Sequence, residues 1–82
     1  MNMNEQKALE WLTDVLSVQS RVLTIQDSRH SVAEWDSLGD LMLLARLEED
    51  IGIIVSADEI TAMNFIRDVC VLMEKNHVFS AG

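Results

Sequence analysis

The sequence contains no proline and no tyrosine, only three glycines, and four aromatic side chains in all: Trp11, Trp35, Phe65 and Phe79. With few helix breakers and a dominance of leucine, valine, isoleucine and methionine, the composition favours helices over a sheet. A single cysteine, Cys70, excludes an intramolecular disulfide and fits a reducing cytoplasm. No basic and apolar signal segment is recognisable. No apolar run exceeds the five residues Leu41 to Ala45, against the roughly 20 needed to span a bilayer, so a soluble protein is expected. Basic residues are also scarce. Six of them stand against 14 acids, a net charge of -8, which repels nucleic acid and anionic membrane surfaces and sets both aside as partners.

What is present is a globular composition, 49% hydrophobic and 24% charged, on 82 residues, which is enough for one small domain and too little for a multidomain enzyme. The acidity is concentrated. Between positions 34 and 59 lie Glu34, Asp36, Asp40, Glu48, Glu49, Asp50, Asp58 and Glu59 against Arg46 alone, and the rest of the chain is nearly balanced. Such a segment suits a surface that meets basic partners.

The apolar spacing of Leu9, Leu12 and Leu16 predicts a first helix over about 4–17. Residues 18–35 carry Val22, Leu23, Ile25 and Val32 without helical periodicity, so they read as a long connection pinned by a few apolar anchors and more mobile than the helices. A second helix is expected over about 37–51, opened by Asp36 or Ser37 and stopped by Gly52. It carries two apolar stripes, one of Leu43, Leu44, Leu47 and Ile51 and a second of Leu38, Leu41, Met42 and Ala45. The second stripe is either covered by the third helix and the loop or free for a partner. Ser56 introduces a short helix over about 57–61, and Asn64 is expected to cap a last helix over about 65–76, with Ile66, Val69, Cys70 and Met73 on its core face. The tail 77–82 should fray. The expectation is an all-α, single-domain four-helix bundle with a long first loop and a short third helix, monomeric by default.

Several chemistries fail on spacing. Counting a calcium loop from Asp36 puts Leu41 where glycine is needed and Leu47 where an acid is needed. His30 and His77 lack ligand partners at zinc spacing, so no metal site is expected. Ser37 stands in WDSLG rather than in a glycine-flanked nucleophile elbow, so no catalytic constellation is found and no enzyme is expected.

What remains is a serine at the start of a helix, preceded by an acid and opening the most acidic stretch of the chain. WDSLGDLMLLARLEEDIGI, with a long loop before it and SADEITAMNFIRDV after it, resembles the acyl and peptidyl carrier proteins over nearly the whole chain. In that family a D-S-L triplet opens the second of four helices. The resemblance implies that Ser37 is esterified with 4'-phosphopantetheine from coenzyme A, and that Asp36 supports this modification by a phosphopantetheinyl transferase, whose magnesium ion belongs to that enzyme. It further implies an acyl or aminoacyl thioester on the arm, delivered by activating ligases or synthases and passed to separate biosynthetic enzymes of fatty-acid-like, polyketide, nonribosomal peptide or other specialised pathways. A cargo folding back would enter between helices two and three, near Leu47, Ile60 and Met63.

Two positions depart from the fatty-acid type. Gly39 and Met42 stand where acids are common there, and Trp35 before the triplet with Gly39 after it looks more like discrete carriers of secondary metabolism or specialised acyl pathways. The candidate partner contacts are Leu38, Leu41 and Met42 near the arm and Glu48 and Glu49 further along. The alternative is an unmodified helical interaction module, in which Ser37 only caps its helix and the second stripe docks a partner helix.

Overall fold

Helix α1 (Glu5–Val15) begins where the Asn4 side chain accepts the Lys7 N–H at 2.8 Å, satisfying one of the donors that every helix start leaves unpaired. The computed structural model describes residues 4–76. The tail 77–82, with His77, lies outside the described residues. In α1 the three- and four-residue spacing brings Ala8, Leu9, Leu12 and Val15 to the buried face. The helix stops at Val15 rather than Ser17, because Ser17 adopts a left-handed backbone (φ 57°) and the Val18 N–H turns back to the Thr13 carbonyl at 3.0 Å.

The expected second helix is two windings. Helix α2 (Ser37–Arg46) is regular, and Leu47–Ile51 continue it as a wider π turn. There the Gly52 N–H reaches the carbonyls of Glu48 and Leu47, and Ile53 N–H bonds the Leu47 carbonyl at 3.0 Å. Gly52 ends the turn at φ 78°, a conformation glycine takes without steric cost. Helix α3 (Ala57–Thr61) is capped by Ser56, whose hydroxyl accepts the Glu59 N–H at 3.1 Å. Helix α4 (Ile66–Lys75) is not capped by Asn64. Phe65 holds the cap position, and Asp68 reaches back to accept the N–H groups of Asn64 and Phe65, each at 3.1 Å.

Four α-helices and no strand occur among the described residues, apart from a lone antiparallel bridge between Ser28 and Phe65. The fold is all-α. Its core joins Leu12, Leu23, Leu43, Leu47, Ile60, Ile66, Val69 and Met73, all essentially inaccessible. Cys70 is buried with them, and that burial, with Glu5 nearby, pushes its thiol up to about 11. No helix among the described residues is long and apolar enough to cross a membrane.

The connection from α1 to α2 has no regular structure, yet it is tied down at many points. Leu23, Val32 and Trp35 are buried, whereas Val22 is half exposed and anchors nothing. Thr13 on α1 accepts the Leu23 N–H at 3.0 Å, and Asp27 accepts the Ile66 N–H through its carbonyl at 2.9 Å. Only 7% exposed, Asp27 is the one buried charged residue among the described residues. Its carboxylate accepts two hydrogen bonds from Arg21 (2.6 and 2.8 Å), the Thr24 N–H and hydroxyl, and the Ser31 hydroxyl. The Arg21 guanidinium, foremost among these donors, holds Asp27 well below the usual carboxylate range despite burial.

Candidate functional site

The turn entering α2 gathers five of the residues singled out from the sequence. Asp36, in an extended conformation, is the cap: its Oδ1 accepts the Gly39 N–H at 3.0 Å and its carbonyl accepts the Asp40 N–H at 2.9 Å. Its Oδ2 takes no hydrogen bond among the described residues. Ser37 follows as the first helical residue and is exposed. Beyond it, Leu38 and Leu41 are 66% and 62% exposed and Met42 is 41% exposed, with Ala45 also on the surface. The other stripe divides: Leu43 and Leu47 are fully buried, Leu44 and Ile51 partly. The second stripe is therefore left uncovered by α3 and by the loop.

Gly39 is buried because the chain needs its missing side chain. A Cβ there would stand 2.5 Å from the Glu34 carbonyl oxygen and 3.1 Å from a methyl of Leu16. The backbone at Glu34 lies directly on the first turn of α2, so glycine at this position has a packing cause within the fold.

Two hollows flank the Ser37–Leu38 ridge. One, of about 270 Å³, opens between α2 and α3, with Ser37 on its rim and a mainly apolar wall of Leu41, Leu44, Ala57 and Ile60. The other, of about 250 Å³, lies towards the end of α1 beside Glu34, Asp36, Leu38 and Met42. Of the three residues expected to line a cargo space, Ile60 does so. Leu47 is instead fully buried in the core, and Met63 packs against the core from the turn after α3.

Glu48 and Glu49 sit on the π turn, about 16–18 Å along the axis from Ser37 at the rise of a regular helix, exposed and in no ion pair among the described residues. Their neighbour Asp50 differs. Its Oδ2 accepts the Trp11 indole N–H at 2.9 Å and the Arg46 Nε–H at 2.7 Å, which together hold it below the usual carboxylate range. Arg46 also reaches Asp14 at 3.2 Å, so the acidic segment's one base is spent on internal pairs.

Sequence reasoning missed a cluster beside this site. Arg29 in the loop donates to both carboxylate oxygens of Asp40 (2.8 and 3.0 Å), and Trp35 donates its indole N–H to the same carboxylate at 3.0 Å. The guanidinium lies 4.5 Å above the Trp35 ring. Trp35 thus anchors the loop on α2, but no spacing rule links positions 29, 35 and 40. Among the described residues no group of His, Cys, Asp or Glu is arranged to hold a metal ion. Set against known proteins, the chain matches no protein-family model, no curated protein and no solved structure.

Proposed function

We propose that the chain is a carrier protein that holds acyl or aminoacyl groups as thioesters on 4'-phosphopantetheine attached to Ser37, in a carrier-like four-helix bundle. The observation that supports this most is the position of Ser37: an exposed hydroxyl at the first residue of α2, preceded by its cap Asp36, on the rim of an apolar hollow. In the attachment step the Ser37 oxygen attacks the phosphorus of coenzyme A that bears the pantetheine. A new P–O bond forms, the bond to adenosine 3',5'-bisphosphate breaks, and the hydroxyl proton passes to a base of the transferase. The product is a phosphodiester with one negative charge beside unpaired helix N–H groups, where an anion is stabilised. The free oxygen of Asp36 suits contact with the transferase's magnesium. The thiol at the arm's end supplies the thioester chemistry, and the chain's own residues position the arm and meet its enzymes.

The exposed Leu38, Leu41 and Met42 equally suit an unmodified helical interaction module. Intact-mass measurement after incubation with coenzyme A and a broad-range phosphopantetheinyl transferase separates the two. A carrier gains one phosphopantetheine, and Ser37→Ala folds but gains none. A wild-type chain that stays unmodified, or a Ser37→Ala chain that is still modified, sinks the assignment.

A further inference from the structure

Arg29 makes contacts that its exposed neighbours in the loop do not. Besides gripping Asp40, it donates to the Ile60 carbonyl at 2.8 Å and to the Met63 carbonyl, the groups that close α3. One side chain thus joins the loop, the first turn of α2 and the end of α3. It is only 20% exposed, and Asp40 13%. Helix α3 has five residues, far below the length at which a helix holds itself together. It is seated by the buried Ile60 and tied at its end by Arg29, and it takes part in no ion pair of its own among the described residues. Asp40 and Ile60, the two residues that Arg29 links, also line opposite walls of the hollow with Ser37 on its rim. Arginine suits this position because its planar fork offers five donors in a fixed geometry, enough for two carboxylate oxygens and two carbonyls at once; the compact ammonium of lysine does not span them.

We propose that Arg29 is a latch on the cleft between α2 and α3: its clamp between the Asp40 carboxylate and the carbonyls ending α3 holds the two walls together, and its release lets α3 swing out and enlarge an apolar binding space beside Ser37. Trp35 is the positioning residue of the latch, fixing the Asp40 carboxylate from one side and the guanidinium from its ring face. Use of that space by a tethered cargo rests on the carrier reading. The latch does not, and it is tested on the unmodified full chain.

The test is amide hydrogen exchange of Arg29→Gln against wild type, with Nile red, a neutral apolar dye, as a probe of the cleft. The amides of Ile60, Ala62 and Met63, bonded within and after α3, should exchange about tenfold faster or more, while those of the α4 core change less than about twofold. Nile red uptake should rise in parallel. Arg29→Lys, which keeps a charge beside Asp40, should show the same loosening in smaller degree. Unchanged α3 exchange, equal acceleration in every helix, or opening without dye uptake overturns the proposal. Failure of both variants to fold also overturns it, because Arg29 would then support the whole domain. Ser37 is intact throughout, so a chain that opens at α3 yet never accepts phosphopantetheine refutes the carrier reading and leaves the latch standing.

Discussion

Replacing Gly39 with alanine sets two effects of known size against each other. In a helix, alanine is favoured over glycine by about 0.8–1 kcal/mol, and the backbone of Gly39 is not left-handed, so no dihedral strain opposes the change. Against this stands the contact. The new Cβ would lie 2.5 Å from the Glu34 carbonyl oxygen, where ordinary contact begins at 3.4 Å, and 3.1 Å from Leu16. A leucine methyl gives way by rotation, but the carbonyl is backbone, and it belongs to the residue just before Trp35, which is 3% exposed and fixed by its bond to Asp40. Overpacking of this kind costs about 1–3 kcal/mol. The balance is a net loss near 1 kcal/mol, or a fall in Tm of about 4–8 °C for a domain of this size. Thermal unfolding followed by circular dichroism, with urea midpoints as a second measure, decides the sign. A Gly39→Ala chain as stable as the parent, or more stable, would show that the loop does not bear on α2 as described, and the packing reason for this glycine would fall with it.

Other outcomes follow from the same geometry. Asp27→Asn should cost about 2 kcal/mol, the worth of a charge-assisted bond to a buried acceptor. Because the folded pKa of Asp27 is depressed, its stabilisation is present above the ordinary value of 3.8 and is lost as pH falls below it towards the folded value; urea midpoints from pH 2 to 7 should therefore drop less steeply in Asp27→Asn. Met42→Glu should fold with a change within about 0.5 kcal/mol, as a surface position does, and on the proposed carrier reading should weaken loading by pathway enzymes at every salt concentration; unfolding would place the stripe in the core. On the same proposed reading, Glu48→Lys with Glu49→Lys should slow loading by a basic transferase and flatten its dependence on ionic strength, and an unaltered salt slope would remove these acids from the encounter. Amide exchange across the loop should be uneven, slow at Leu23 and Val32, whose N–H groups are bonded, and fast at Gln19, Ser20 and Ala33; uniform exchange throughout would contradict the anchoring.

Helix faces were legible because burial repeats with the helical period: Ile66, Val69, Cys70 and Met73 all turn inward, and Leu43 with Leu47 separates from Leu41 and Met42. The caps Asp36 and Ser56 follow from side chains that fold forward onto the next turn, and Asn4, counted as the first residue of its helix, does the same as a cap. The cap of α4 was misread because Asp68 folds backward, and nothing in Asn64 itself warns of that. The loop was read least completely. Of its four expected apolar anchors Leu23, Ile25 and Val32 do pack on the core and Val22 does not, while its polar ties went unread: Asp27 collecting five hydrogen bonds, and Arg29 bonded across more than 30 positions. The Arg29 pairings depend on the finished fold and leave no local trace, whereas the Asp27 partners Arg21, Thr24 and Ser31 all lie within six positions of it and form a local polar turn that no apolar pattern reports. The pair Arg46–Asp50 is an exception, since its i,i+4 spacing is readable in advance. Whether the second stripe of α2 was covered depended on where α3 came to rest, which no pattern within α2 encodes.

The long connection also bears on how fast this domain forms. Helical proteins commonly fold quickly because their contacts are close in sequence, but here Trp11 meets Asp50 across 39 positions and Arg29 meets Met63 across 34. Closing such loops costs chain entropy before any contact offsets it. The three longer helices can wind early, while the Arg29 ties of the connection wait for α3 to arrive. Ties that form after the rate-limiting step leave the folding rate almost untouched and govern the unfolding rate instead. On that account Arg29, rather than the local Asp27 cluster, should govern how long the native chain lasts once made, with little effect on how soon it is reached.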